Sequence, residues 1–172
     1  MKELEESGMF FQTDESNSYY VEMSPAFNKI KAKGVKICEY IELQEDKIVF
    51  VEAKTSAPNP HSEVVDAKAK FEEYINSICA KFVNAATMLM TGVFKRRIDI
   101  ANDIPDTYTM LKLQKWEYKC LLVIKNHKKE WLPPVQDALS REFSRNPFWN
   151  ICSNFSVMVI NEDIARKLAI IK

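Results

Sequence analysis

Three charged side chains interrupt the most strand-like stretch of this chain, VKICEYIELQEDKIVFVEAKTS at residues 35–56. Residues 35–43 and 47–55 are both rich in Val, Ile, Phe, Tyr and Leu. Between them lies the polar connection Gln44-Glu45-Asp46, so the stretch reads as two strands of a hairpin. Side chains alternate faces along a strand, so Ile48, Phe50, Glu52 and Lys54 share one face of the second strand. On the first, Glu39 shares its face with Val35, Ile37, Ile41 and Leu43. Placing a charge in such an apolar stripe costs several kcal/mol, roughly, unless an opposite charge or a metal compensates it.

Two carboxylates converging from neighbouring strands suit a hard dication such as Mg²⁺, which prefers carboxylate and water oxygens. A lysine two residues after the second carboxylate lies on the same face. It can orient or deprotonate a water there, or stabilise charge on a phosphate oxygen. Together these groups are an apparatus for metal-assisted phosphodiester hydrolysis.

The arrangement of an acid on one strand, a hairpin, and then hydrophobic-Glu-x-Lys resembles the PD-(D/E)XK, or restriction-endonuclease-like, nuclease superfamily. Glu39 matches the first acid and Glu52-Ala53-Lys54 the E-x-K element, thirteen residues on. The chain departs from the family pattern in having Glu for the first Asp and Cys38 where a proline is usual. The resemblance implies an α/β fold with a central mixed β-sheet flanked by helices on both faces. It implies Mg²⁺ or Mn²⁺ held by Glu39, Glu52 and the Ala53 carbonyl, with Lys54 assisting the attacking water. Nucleic acid, DNA in the first instance, is the expected partner, and some such enzymes act as homodimers. Glu22, just before the first helix, is a candidate accessory acid. One subset of the superfamily carries Gln-x-x-x-Tyr on the following helix. Here Lys70 stands in the Gln position and Tyr74 matches, although Tyr74 also fits an ordinary core position.

Around this hairpin the chain divides readily. Residues 1–17 are polar and acidic, expected to be partly disordered unless Met9-Phe10-Phe11 docks on the body; residues 18–172 read as one nuclease-like domain. Ser24-Pro25 has the form of a helix start, with Gly34 as its stop. The loop Pro58-Asn59-Pro60 leads into a long amphipathic helix from about 62 to 91, with Gly92 as the expected stop. Residues 109–113 fit helix or strand equally. Residues 117–125 read as a buried strand, 134–143 as a helix, 145–154 as a loop, 155–160 as a strand and 161–170 as a helix.

Composition narrows the classes. Three glycines and no GxGxxG or GxxxxGK[ST] exclude the glycine-rich phosphate loops. Lys plus Arg and Asp plus Glu balance at 24 each, so any nucleic-acid contact has to come from local patches. Lys31, Lys33 and Lys36 form one such patch and Lys95-Arg96-Arg97 another, although each reads more simply as a solvated surface. Cys38, Cys79, Cys120 and Cys152 lack metal-site spacing and read as buried thiols. His127 reads as a surface-turn residue. With neither a signal-peptide core nor an apolar run of membrane-spanning length, the expectation is a cytoplasmic protein without a membrane partner.

Two other readings stay open from residues alone. The chain could be a nuclease-like module that binds nucleic acid or assembles without cutting. Alternatively, Glu52 and Lys54 could be charges paired across a sheet for structural reasons only.

Overall fold

The protein is described by a computed structural model covering residues 2–45, 47–63, 65–109, 117–147, 149 and 154–172. Its centre is a five-stranded mixed sheet in the order β3-β4-β5-β6-β7. These strands are β3 (Ser18–Tyr19), β4 (Tyr40–Gln44), β5 (Lys47–Lys54), β6 (Glu117–Ile124) and β7 (Phe155–Asn161). β3, β4 and β5 pair antiparallel, whereas β5, β6 and β7 run parallel. β5 is thus the junction of the two halves, and its side chains from Ile48 to Ala53 are buried.

Alternation along β5 divides the core. Ile48 and Phe50 face a layer built from α1 (Pro25–Lys31), α2 (Ala67–Val93) and α5 (Leu132–Arg145). Val49, Val51 and Ala53 face the other side, which is covered by α6 (Glu162–Lys167) and by a hairpin of β1 (Lys2–Glu6) and β2 (Met9–Thr13). The mixed α/β architecture follows the sequence pattern. The second face differs from the expected helical cover, because the hairpin takes much of it.

That hairpin occupies the segment read as polar and partly disordered. Leu4, Met9 and Phe11 are buried, so alternate residues of a nominally polar run supply an apolar face. Ser7 and Gly8, both at positive φ, make its two-residue turn, the twist that matches paired strands. Phe11 bridges to Ile171, and Gln12 N donates to the Ile170 carbonyl at 2.9 Å, tying the hairpin to the chain's end.

Other boundaries moved for identifiable reasons. β4 begins at Tyr40, not at residue 35. The segment before it is held by α2: Asn84 Nδ2 donates to the Lys36 carbonyl at 2.7 Å, and Lys36 Nζ donates to Ser77 Oγ at 3.0 Å. The long helix starts at Ala67, after Asp66 at φ 67°. Gly92 lies inside that helix and does not end it. A Cβ there would stand 2.2 Å from Ile104 Cδ1 and 2.9 Å from Ile100 Cγ2, so the residue serves the close approach of α3 (Ile98–Ala101) and the turn after it. Ser24 caps α1 as expected, its Oγ accepting from Phe27 N at 3.1 Å, and Gly34 follows at φ 76°. The Tyr108 hydroxyl, carried by α4 (Asp106–Thr109), lies 2.8 Å from the Asn17 carbonyl and 3.0 Å from that of Ile41. This pins the segment after α2 beneath β3 and β4.

His127 is buried, which corrects the surface-turn expectation. Its Nε2 lies 3.1 Å from the Trp131 carbonyl, its ring meets Trp131 edge-on, and its own carbonyl accepts from Asn161 Nδ2 at 3.0 Å. It is a corner post between β6 and β7. Cys38, Cys79 and Cys120 are buried, as expected. Cys152, most of residues 109–113 and much of the 145–154 loop lie outside the described residues. Among the described residues no helix is long and apolar enough to cross a membrane.

Candidate functional site

Glu39 and Glu52 are brought together at the end of the β4–β5 hairpin, where both approach Lys81. Tyr40 pairs with Val51, and Glu39 N donates to the same Val51 carbonyl at 3.0 Å, a bulge-like departure from the ladder just before β4. Glu52 shares the face of Ile48 and Phe50, toward the helical layer. Both acids are buried, Glu52 with 0 % of its surface exposed. The backbone adds a further oxygen. Carbonyls alternate sides along a strand, so those of Val51 and Ala53 point to the β4 edge. The Ala53 carbonyl therefore faces the side where β4 has already ended.

Two ammonium groups meet Glu52. Lys54 Nζ is 2.5 Å from Glu52 Oε1, as the Glu-x-Lys spacing predicts. The second is Lys81, from the middle of α2, at 2.7 Å from the same oxygen and 3.7 Å from Glu39 Oε1. Lys81 was not among the sequence candidates. A signal for it exists: it follows Tyr74 by seven residues and Ile78 by three, which puts a lysine in the apolar stripe of α2.

Burial pushes the Glu52 carboxyl above the ordinary range, while the charges of Lys81 and Lys54 pull it down. Glu52 Oε2 is buried and has no hydrogen-bond partner among the described residues. Tyr74, an accessory candidate, has a buried and similarly unpartnered hydroxyl. Its pKa is raised by burial first and by the Glu52 charge second, which places it in the same electrostatic environment. Lys70, by contrast, is exposed on α2.

On the other side of Glu39 stand two more acids. Carboxylate oxygens of Glu6, Glu22 and Glu39 all lie within 4.8 Å of one another, close enough to share a cation. Glu22 comes from the 3-10 turn Val21–Met23, and its N–H approaches the Glu39 carbonyl at 3.5 Å. Glu6, from the tip of the β1–β2 hairpin, was missed because nothing in the local sequence links it to a site. Burial, then the hydrogen bond with Glu22 and the charge of Glu52, raise the Glu39 carboxyl to about 9. The same hydrogen bond with Glu39 lowers Glu22. Glu39 thus holds a proton at neutral pH and shares it with the Glu22 carboxylate.

These groups suit a hard cation. The donor set is all oxygen, one buried carboxylate oxygen lacks a partner among the described residues, and burial keeps on Glu39 a proton that a cation would displace. Mg²⁺ or Mn²⁺ matches that chemistry; a zinc site with thiolate or imidazole ligands does not.

The basic residues lie on and just after α1 and in the segment after α2. Lys31 Nζ lies 3.8 Å from Glu22. Lys29, two residues earlier on α1, meets Asp99 at 3.2 Å, and Asp99 in turn pairs with Arg97 at 2.6 Å. Lys33, Lys95 and Arg96 are exposed beside these anchors. Lys36 and Arg97 are partly committed to Ser77 and Asp99.

Comparisons with protein-family models, with curated proteins and with solved structures return no match. Function therefore has to be argued from the site.

Proposed function

We propose that the protein is a metal-dependent nuclease with a restriction-endonuclease-like fold, hydrolysing phosphodiester bonds of nucleic acid, DNA foremost. One observation carries this reading. Glu39 and Glu52, from adjoining segments at the end of the β4–β5 hairpin, converge on a shared ammonium, with Lys54 2.5 Å from Glu52 and one Glu52 oxygen buried without a partner among the described residues. An ordinary sheet has no use for two buried acids there.

Glu39, Glu52 and the Ala53 carbonyl would hold Mg²⁺ or Mn²⁺, with Glu22 as an accessory acid next to Glu39. The bound dication would polarise the phosphodiester and make water a better nucleophile near neutral pH. Lys54, held by Glu52, orients the attacking water and donates to a non-bridging phosphate oxygen as negative charge grows there. The water oxygen bonds to phosphorus and gives up its proton to solvent, while the bond to the leaving ribose or deoxyribose oxygen breaks and that oxygen takes a proton from solvent. Tyr74 walls the Glu52 side against bulk water. The basic residues Lys31, Lys33, Lys95 and Arg96 give the backbone of the nucleic acid a counter-charge, despite the neutral total.

The test is a cleavage assay over single- and double-stranded DNA and RNA with Mg²⁺ or Mn²⁺, beside Lys54→Ala. Metal-dependent cleavage lost in the variant is the expected result. A Lys54→Ala variant that cuts at the wild-type rate refutes the assignment. A second reading, a nuclease-like binding or assembly module, draws on Lys81: the buried Glu52 carboxylate already has two ammonium partners, Lys54 and Lys81, without metal. Binding of nucleic acid with no cleavage under any of these conditions would favour it.

A further inference from the structure

We propose that Lys81 is an internal competitor of the dication: its ammonium holds the place between Glu39 and Glu52 in the metal-free protein and is driven out when metal binds. The inference rests on the metal-dependent nuclease reading and assigns a role in that site to a residue outside the Glu-x-Lys element.

The geometry supports a direct contest for the same atoms. Lys81 Nζ is 2.7 Å from Glu52 Oε1 and 3.7 Å from Glu39 Oε1, so one cation spans both carboxylates. A Mg²⁺ ion binds carboxylate oxygen at about 2.0–2.1 Å. A dication using both acids would therefore lie within a few ångströms, roughly, of an ammonium left in place, where like charges repel. The two do not occupy it together.

Exchange does not require the fold to move. The carboxylates come from β5 and from the residue before β4, while Lys81 comes from α2. Its side chain is 15 % exposed and has a flexible four-carbon stem, so it can leave toward solvent by changing rotamer. Carboxylates remain within its reach, because Glu22 and Glu6 sit within 4.8 Å of the Glu39 oxygen. Lys54 differs. It sits two residues from Glu52 on the same strand and pairs with that carboxylate, whereas Lys81 reaches Glu39 as well.

Such a competitor weakens metal binding and keeps the buried Glu52 carboxylate compensated in its absence. Removing the charge leaves the acids to the metal alone.

The experiment measures metal uptake, not cleavage. Mn²⁺ is titrated calorimetrically into wild type, Lys81→Met and Lys81→Arg. We expect Lys81→Met to bind about tenfold tighter or more, since a positive charge beside the ion is gone, and Lys81→Arg to bind no tighter than wild type. Lys81→Met risks misfolding without metal, so a second measurement uses the wild-type chain. The lysine side-chain NH₃⁺ resonances are followed by NMR during titration with Mg²⁺. The Lys81 signal should move in step with saturation. Saturation with an unmoved Lys81 signal, or Lys81→Met binding no tighter than wild type, overturns the competitor role and leaves the nuclease reading to the cleavage assay. Failure of both wild type and variants to take up either metal overturns both.

Discussion

Lys81 of α2 and Glu52 of β5, 29 residues apart in the chain, form a 2.7 Å ion pair inside the helical layer of the sheet. Through Glu52 the pair also fixes Lys54, so one buried carboxylate organises two cations. Removing either partner of a buried pair leaves the other charge uncompensated, whereas the pair itself contributes little net stability.

Glu52→Gln should therefore show two effects. The amide keeps the shape but loses the negative charge that holds Lys81, so stability should fall by about 3 kcal/mol. Cleavage should fall by at least 100-fold, roughly, in keeping with the loss of a group that acts on developing charge. Thermal melting and a cleavage assay below the melting point separate the two. Activity retained at full stability would mean that Glu52 has no part in the chemistry.

The Glu39 carboxyl, raised to about 9, predicts a particular pH dependence. The folded protein binds a proton that the unfolded chain releases in the ordinary glutamate range. Stability is therefore fully present in mild acid and declines as the pH rises, from about 5 to about 9, through the folded value. Glu39→Gln, a neutral stand-in for the protonated acid, should remove that decline. Melting temperatures across this range check it, and an identical slope in the variant would refute the shared proton.

Metal uptake should release a proton near neutral pH, because a dication ionises the protonated Glu39 carboxyl. Calorimetry in two buffers of different ionisation enthalpy reads this directly. Equal heats in both buffers would show that the metal leaves Glu39 protonated.

Gly92→Ala offers a test of the fold away from the site. Alanine favours helix over glycine by about 1 kcal/mol. Its Cβ would meet Ile104 Cδ1 at 2.2 Å and Ile100 Cγ2 at 2.9 Å, and overpacking of this kind costs about 1–3 kcal/mol. The expected outcome is a lower melting temperature with metal binding unchanged. A stabilised variant would mean that α3 shifts freely from α2.

Nucleic-acid affinity should depend on salt if the basic residues are used. Replacing both exposed side chains in Lys95→Ala/Arg96→Ala should weaken binding across all sequences and lower the salt slope by about one per lost phosphate contact. Binding measured between low and moderate salt decides it, and an unchanged slope removes these residues from the interface.

Much of the frame was legible from local pattern. Ser24-Pro25 starts α1 because the cap and the proline act within one turn. The alternation of β5 and the stripe of α2 reflect periods of 2 and 3.6 residues that any sheet or helix imposes. The start of β4 was less legible, because Asn84 and Ser77 on α2 compete with β5 for the segment before it. The hairpin was obscured by its acidic residues, which occupy the exposed positions of β1 while Leu4 is buried.

Within the candidate site the same division holds. That Glu52 and Lys54 stand on one side of one strand follows from covalent alternation and needs no other part of the chain. That Glu39 comes near them follows from the hairpin, although the bulge-like bond of Glu39 N to the Val51 carbonyl, not the regular register, sets its final place. Lys81, Glu22 and Glu6 arrive from a helix, a 3-10 turn and a distant hairpin tip, and their meeting depends on how these elements pack. Residue type tells which charges are costly to bury; the packed layers decide which opposite charges, or which shared proton, make that burial tolerable.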